Sequence, residues 1–72
     1  MSKEETDKSY FLAFCIEQYK TQKSIDGATV ASLFFEKGVA EYLMENFEVL
    51  HTQSWQWLME EIDNYLKNNR AS

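Results

Sequence analysis

Residues 54–67 read S-W-Q-W-L-M-E-E-I-D-N-Y-L-K. Trp55, Leu58, Met59, Ile62, Tyr65 and Leu66 recur at the i, i+3, i+4, i+7 spacing of one helix face, and Trp57 falls nearly opposite. Thr52 or Ser54 supplies an N-cap. Lys67 and Arg70 place positive charge at the C-terminal end, where the helix dipole favours it. The tail from Asn68 to Ser72 is expected to fray.

Outward from this segment the same period repeats. From about Lys3 to Lys23, Tyr10, Phe11, Phe14, Cys15 and Tyr19 follow a helical stripe that Leu12 and Ile16 widen. A helix apolar over so much of its circumference belongs at the centre of a bundle. Glu4, Glu5 and Asp7 open it and Lys20 and Lys23 close it, in agreement with the dipole. Residues 21–25 read as a connection, and Asp26 caps a second helix whose inward stripe is Val30, Leu33 and Phe34. Ile25 and Val30 have the spacing of a hydrophobic staple. Gly38 ends that helix, because glycine takes the left-handed C′ conformation without steric cost. A short third helix follows with Val39, Tyr42, Leu43, Asn46 and Phe47 on one face. Residues 48–53 are expected as a loop anchored by Leu50, and residues 49–52 are the one place for a short extended piece.

The expected fold is therefore all-α: one domain over residues 1–72, a bundle of about four helices, two long and two short, with the first and last packed together. Two glycines and no proline in 72 residues agree, because sandwiches and barrels need more turn formers. With 44% hydrophobic and 15% aromatic residues the chain is too apolar for a disordered tail. A chain of this length buries only about 60% of its unfolded surface, so good helix packing or a partner is needed.

Charge narrows the function. Seven Lys and Arg against twelve Asp and Glu leave −5, a surface that repels phosphate backbones and anionic membranes. Gly38 between two helices invites a helix-turn-helix reading, but the helix after it carries Glu41, Glu45 and Glu48 and no base. Nucleic-acid binding by the lone chain is not expected. One cysteine and one histidine cannot assemble a zinc site, and the two glycines, eleven residues apart, form no phosphate loop. Glu60, Glu61 and Asp63 read as a solvated helix face, with no Glu-x-x-His on a helix beside them. Neither a metal nor a cofactor is expected. The charged start and the lack of any apolar run of roughly 18 residues predict no signal peptide and no membrane span, hence a cytoplasmic protein.

Few residues offer chemistry. Cys15, between Phe14 and Ile16, reads as a small buried hydrophobe. His51 is read foremost as a loop histidine pinning the turn beside Thr52 through a backbone hydrogen bond. An enzyme or ligand site around His51, Tyr42 and Trp55 is the remote alternative. Three large apolar residues fall outside the single-chain stripes: Trp57, Phe35 and Met44. Such residue types are enriched in interface cores, and they predict a docking patch steered by Glu41, Glu45, Glu48, Glu60 and Glu61. The leading expectation is a non-enzymatic protein-interaction module. A homodimeric regulatory module is the alternative.

Residues 34–53 read F-F-E-K-G-V-A-E-Y-L-M-E-N-F-E-V-L-H-T-Q. This resembles an uncharacterised family of small bacterial proteins, a domain of unknown function, with a G-V-x-x-Y-L-x-x-x-[YF]-x-x-L-H-T-Q core. The family's upstream F-C-I-E-x-Y matches Phe14 to Tyr19, and its downstream E-I-D matches Glu61 to Asp63. The family pattern has a glycine or acid near position 54 and fewer aromatics, so Ser54-Trp55-Gln56-Trp57 sets this chain apart. The resemblance brings no activity. The resemblance implies a frequent neighbour, a second uncharacterised gene of toxin-like character, and so an antitoxin-like or accessory role by association.

Overall fold

The structure, a computed structural model, describes residues 3–69, with side chains from Thr6 to Asn68. Over that range the chain is all-α: α1 (Lys3–Lys23), α2 (Gly27–Glu36), α3 (Val39–Glu45), α4 (Phe47–Leu50) and α5 (Trp55–Asn69). Arg70 and the end of the expected fraying tail lie outside the described residues. Its first residue, Asn68, is still helical.

α1 is the central element, packed by α2, α3 and α5. Its Leu12, Cys15 and Tyr19 join Val30 and Phe34 of α2, Val39, Ala40 and Leu43 of α3, Leu50 of α4, and Leu58, Met59 and Ile62 of α5 in one core. Phe34, fully buried, meets the Tyr19 ring edge-on at 5.4 Å. Burying a side chain of that size is worth about 1.5–3 kcal/mol. α3 and α5 run antiparallel: Gly38 lies at the Tyr65 hydroxyl, and one turn on Tyr42 reaches Glu61. α1 is tied to α5 by Asp63, which accepts from the Tyr19 hydroxyl at 2.9 Å and from Lys23 Nζ at 2.8 Å.

Helix ends follow capping chemistry. Asp26 Oδ2 accepts from the N–H groups of Ala28 and Thr29 at 3.0 and 3.3 Å, the expected N-cap of α2, worth about 1 kcal/mol. Gly38 takes φ +79° between α2 and α3. Of the two cap candidates for α5, Ser54 acts: its Oγ accepts from Trp57 N–H at 3.2 Å. Thr52 Oγ1 instead donates to the Val49 carbonyl at 2.8 Å.

The expectation differs from the structure at two connections. α1 runs to Lys23, as its stripe predicts, so the link is residues 24–26 and not 21–25. Ser24 turns it at φ +54°, and Ile25 N–H reaches back to the Lys20 carbonyl at 3.1 Å, the six-to-one bond of a Schellman motif. Residues 48–53 are not all loop, nor is 49–52 extended, because Phe47–Leu50 makes a helical turn. Asn46, at φ −109°, breaks α3, and its carbonyl then accepts from Leu50 N–H at 2.9 Å. That turn carries Leu50 into the core, and a loop would have left its backbone groups to find other partners. The bundle thus has a fifth, one-turn helix.

Candidate functional site

Packing the core leaves six large apolar side chains exposed among the described residues: Tyr10, Phe14, Phe35, Val49, Trp55 and Trp57. Trp57 is 42% exposed because one step of 100° carries it off the line of Leu58 and Ile62. Phe35, 65% exposed, is the outward neighbour of buried Phe34. Met44 is different: it is half-buried and packed against the core, which removes it from the outward set. α1, α2, α4 and α5 all pack against α3, so a residue off its main stripe still meets a neighbour. Glu41, Glu45, Glu48 and Glu60 are exposed. Glu61 is half-buried, its Oε2 accepting from the Tyr42 hydroxyl at 2.7 Å.

Periodicity puts Tyr10, Phe14 and Trp55 on apolar stripes, and Val49 falls in the expected loop. In α1 the apolar girdle runs almost all the way round, so periodicity alone does not choose the outer side. Charge would have: Asp7, Tyr10, Phe14, Glu17 and Thr21 form one row along the helix, whereas Leu12, Cys15 and Tyr19 form a row without an acid. In the row holding acids Tyr10, Phe14, Glu17 and Thr21 are exposed and Asp7 is half-buried. Trp55 stands in the first turn of α5, ahead of the positions that α3 and α1 cover, and is 36% exposed.

His51 closes α4. Its Nδ1 lies 2.7 Å from the Phe47 carbonyl. A carbonyl only accepts, so Nδ1 carries the proton and Nε2 is left toward solvent. The imidazole stacks on the Phe47 ring at 4.4 Å and 12°, and Phe47 meets Phe11 of α1 edge-on at 5.5 Å. With the Thr52 bond to Val49, these contacts hold the turn that precedes α5. Tyr42 belongs elsewhere: it donates to Glu61 and stacks on Tyr65 at 4.6 Å. His51, Tyr42 and Trp55 share no hydrogen bond. The concavity beside the α3–α4 junction, about 300 Å³, is lined by Lys8, Glu45, Asn46, Phe47, Glu48 and Val49, and by none of those three.

Titration behaviour follows from packing. Burial pushes the Cys15 thiol up to about 12, so it stays protonated and a poor nucleophile at neutral pH. Tyr19 is also raised to about 12, by burial first and then by its bond to Asp63. For Tyr42, likewise about 12, the hydrogen bond to Glu61 is the main cause. Among the described residues no three His, Cys, Asp or Glu side chains converge as a metal site would require. No helix there is long and apolar enough to cross a membrane.

Residues 10–69 match a family model described as "Protein of unknown function (DUF3791)". No curated protein and no solved structure matches the chain.

Proposed function

The chain belongs to the DUF3791 family, which assigns it no activity, and we propose from its own surface that it is a non-enzymatic interaction module. The observation that carries this reading is the set of exposed aromatic side chains on a small acidic bundle whose core is already filled without them. Trp57 and Phe35 are the anchors. Truncating such anchors at an interface typically costs 2 kcal/mol or more of binding. Glu41, Glu45, Glu48 and Glu60 favour a basic partner and speed its approach. Met44 supports the core and is not an anchor. His51 and Thr52 hold the turn ahead of α5. The partner is a basic cytoplasmic protein, and the family resemblance makes a neighbouring toxin-like gene product the first to examine, with an antitoxin-like or accessory role.

The test uses the full chain, purified from its own host and compared with Trp57→Ser and Phe35→Ser. A stoichiometric basic partner retained by the native chain, and lost from both variants at unchanged melting temperature, is expected. Light scattering across a dilution series separates a second copy from a foreign protein. A native chain that elutes alone as a monomer, or variants that keep the partner in full, would overturn the proposal.

A further inference from the structure

The acid-bracketed row on α1 is specific about what covers it. Asp7, Tyr10, Phe14, Glu17 and Thr21 are spaced by three, four, three and four residues, the spacing of a helix–helix seam. Tyr10 is 72% exposed and Phe14 42%, while α2, α3 and α5 occupy the remaining sides of α1. We propose that this row docks an amphipathic helix of another protein, one with two apolar residues a turn apart bracketed by Lys or Arg. The proposal rests on the interaction reading above and assigns it a second face and a partner chemistry.

A second copy of this chain fits poorly. Pairing two α1 helices antiparallel, with Tyr10 opposite Phe14 of the other copy, sets Asp7 against Glu17 at both ends of the seam. Pairing them parallel sets Asp7 against Asp7 and Glu17 against Glu17. Either arrangement places like charges beside the apolar contact, the device by which coiled coils reject wrong partners. The net charge of −5 on each copy adds to the repulsion. Glu17 already meets Lys20 at 3.1 Å, but both side chains are exposed. A surface pair of that kind yields readily to a better-placed cation. A basic helix satisfies both acids and buries both rings at once.

The experiment titrates the isotope-labelled full chain with two short synthetic helical peptides, followed by backbone amide shifts. The peptides are identical, with a Leu pair one turn apart, except that Lys in one and Glu in the other brackets that pair. The Lys peptide is expected to shift amides around Tyr10 and Phe14 and to bind about tenfold tighter than the Glu peptide at low salt, from two surface charge pairs. Phe14→Ser, with its fold checked by an unchanged melting temperature, abolishes the shifts. The double variant Asp7→Lys with Glu17→Lys inverts the preference. Equal binding of the two peptides, no binding, or a Phe14→Ser variant that changes the solution mass of the chain alone overturns the proposal. Shifts centred on Trp57 overturn this row as the site while leaving the interaction reading standing.

Discussion

Among the described residues Ser24 is the non-glycine residue with positive φ, +54°, and replacing it with glycine should stabilise the protein. The left-handed conformation brings an L-residue's Cβ against its own carbonyl at a cost of roughly 1–2 kcal/mol. Glycine removes that cost but gives back up to about 1 kcal/mol through the greater freedom of the unfolded chain. The Schellman bond from Ile25 N–H to the Lys20 carbonyl is unchanged by the substitution, and the Ser24 side chain is exposed. The net expectation is a gain of about 0.5–1 kcal/mol. A domain of this size has a total stability of about 4–11 kcal/mol, and the gain corresponds to a rise in Tm of roughly 2–8 °C. The assay is urea denaturation followed by far-UV circular dichroism and tryptophan fluorescence, with the midpoint rising and the slope unchanged. Ser24→Ala keeps the Cβ and should stay close to the native protein. If Ser24→Gly left the midpoint unmoved or lowered it, the left-handed turn between α1 and α2 would be absent in solution, and the cap argument would fail with it.

The mirror experiment is Gly38→Ala. At φ +79° the added Cβ strains the backbone by about 1–2 kcal/mol, while its 3.4 Å approach to the Tyr65 hydroxyl is ordinary contact, so thermal melting should show destabilisation of that size. Ser54→Ala should cost about 1 kcal/mol through loss of the α5 cap, and Thr52→Ala less, since Thr52 caps nothing; equal losses in urea would refute the assignment of the cap. Alkali should unfold the protein in a defined window. Folded Tyr19 and Tyr42 are raised to about 12 against an ordinary 10, so their contribution is full below pH 10 and is lost as pH rises through 12. The double variant Tyr19→Phe with Tyr42→Phe should flatten that decline, and an unaltered alkaline limb would count against both hydrogen bonds.

How much of this was legible beforehand depends on how local its cause is. The caps at Asp26 and Gly38 rest on chemistry within three or four residues, and the chain displays it openly. The α5 stripe was nearly as clear, Trp55 excepted. The turn at Phe47–Leu50 was not, since its reason is tertiary: Leu50 enters the core and Phe47 lies against Phe11, thirty-six residues away in sequence. The exposed surface was read in part. Trp57 and Phe35 break strong stripes and so announced themselves. Met44 did not reveal its burial, because a position off the stripe of a seven-residue helix still meets a second neighbour. Tyr10 and Phe14 were hidden by the opposite circumstance, a helix apolar on nearly every side, where Asp7 and Glu17 were the clue. The pairing of Tyr42 with Glu61 and of Tyr19 with Asp63 depends on helix register, which no single segment contains.

Cys15 has one more use. It is the chain's single thiol, wholly enclosed and held protonated by its surroundings. A thiol reagent in native buffer must therefore wait for the bundle to open, and a covalent mark accumulates only as fast as opening and reclosing allow. With excess reagent, the labelling rate becomes a built-in clock for unfolding that needs no added probe. The same clock would run slower when a bound partner holds the helices together, so ligand affinity could be read from the rate at which a buried sulfur is modified.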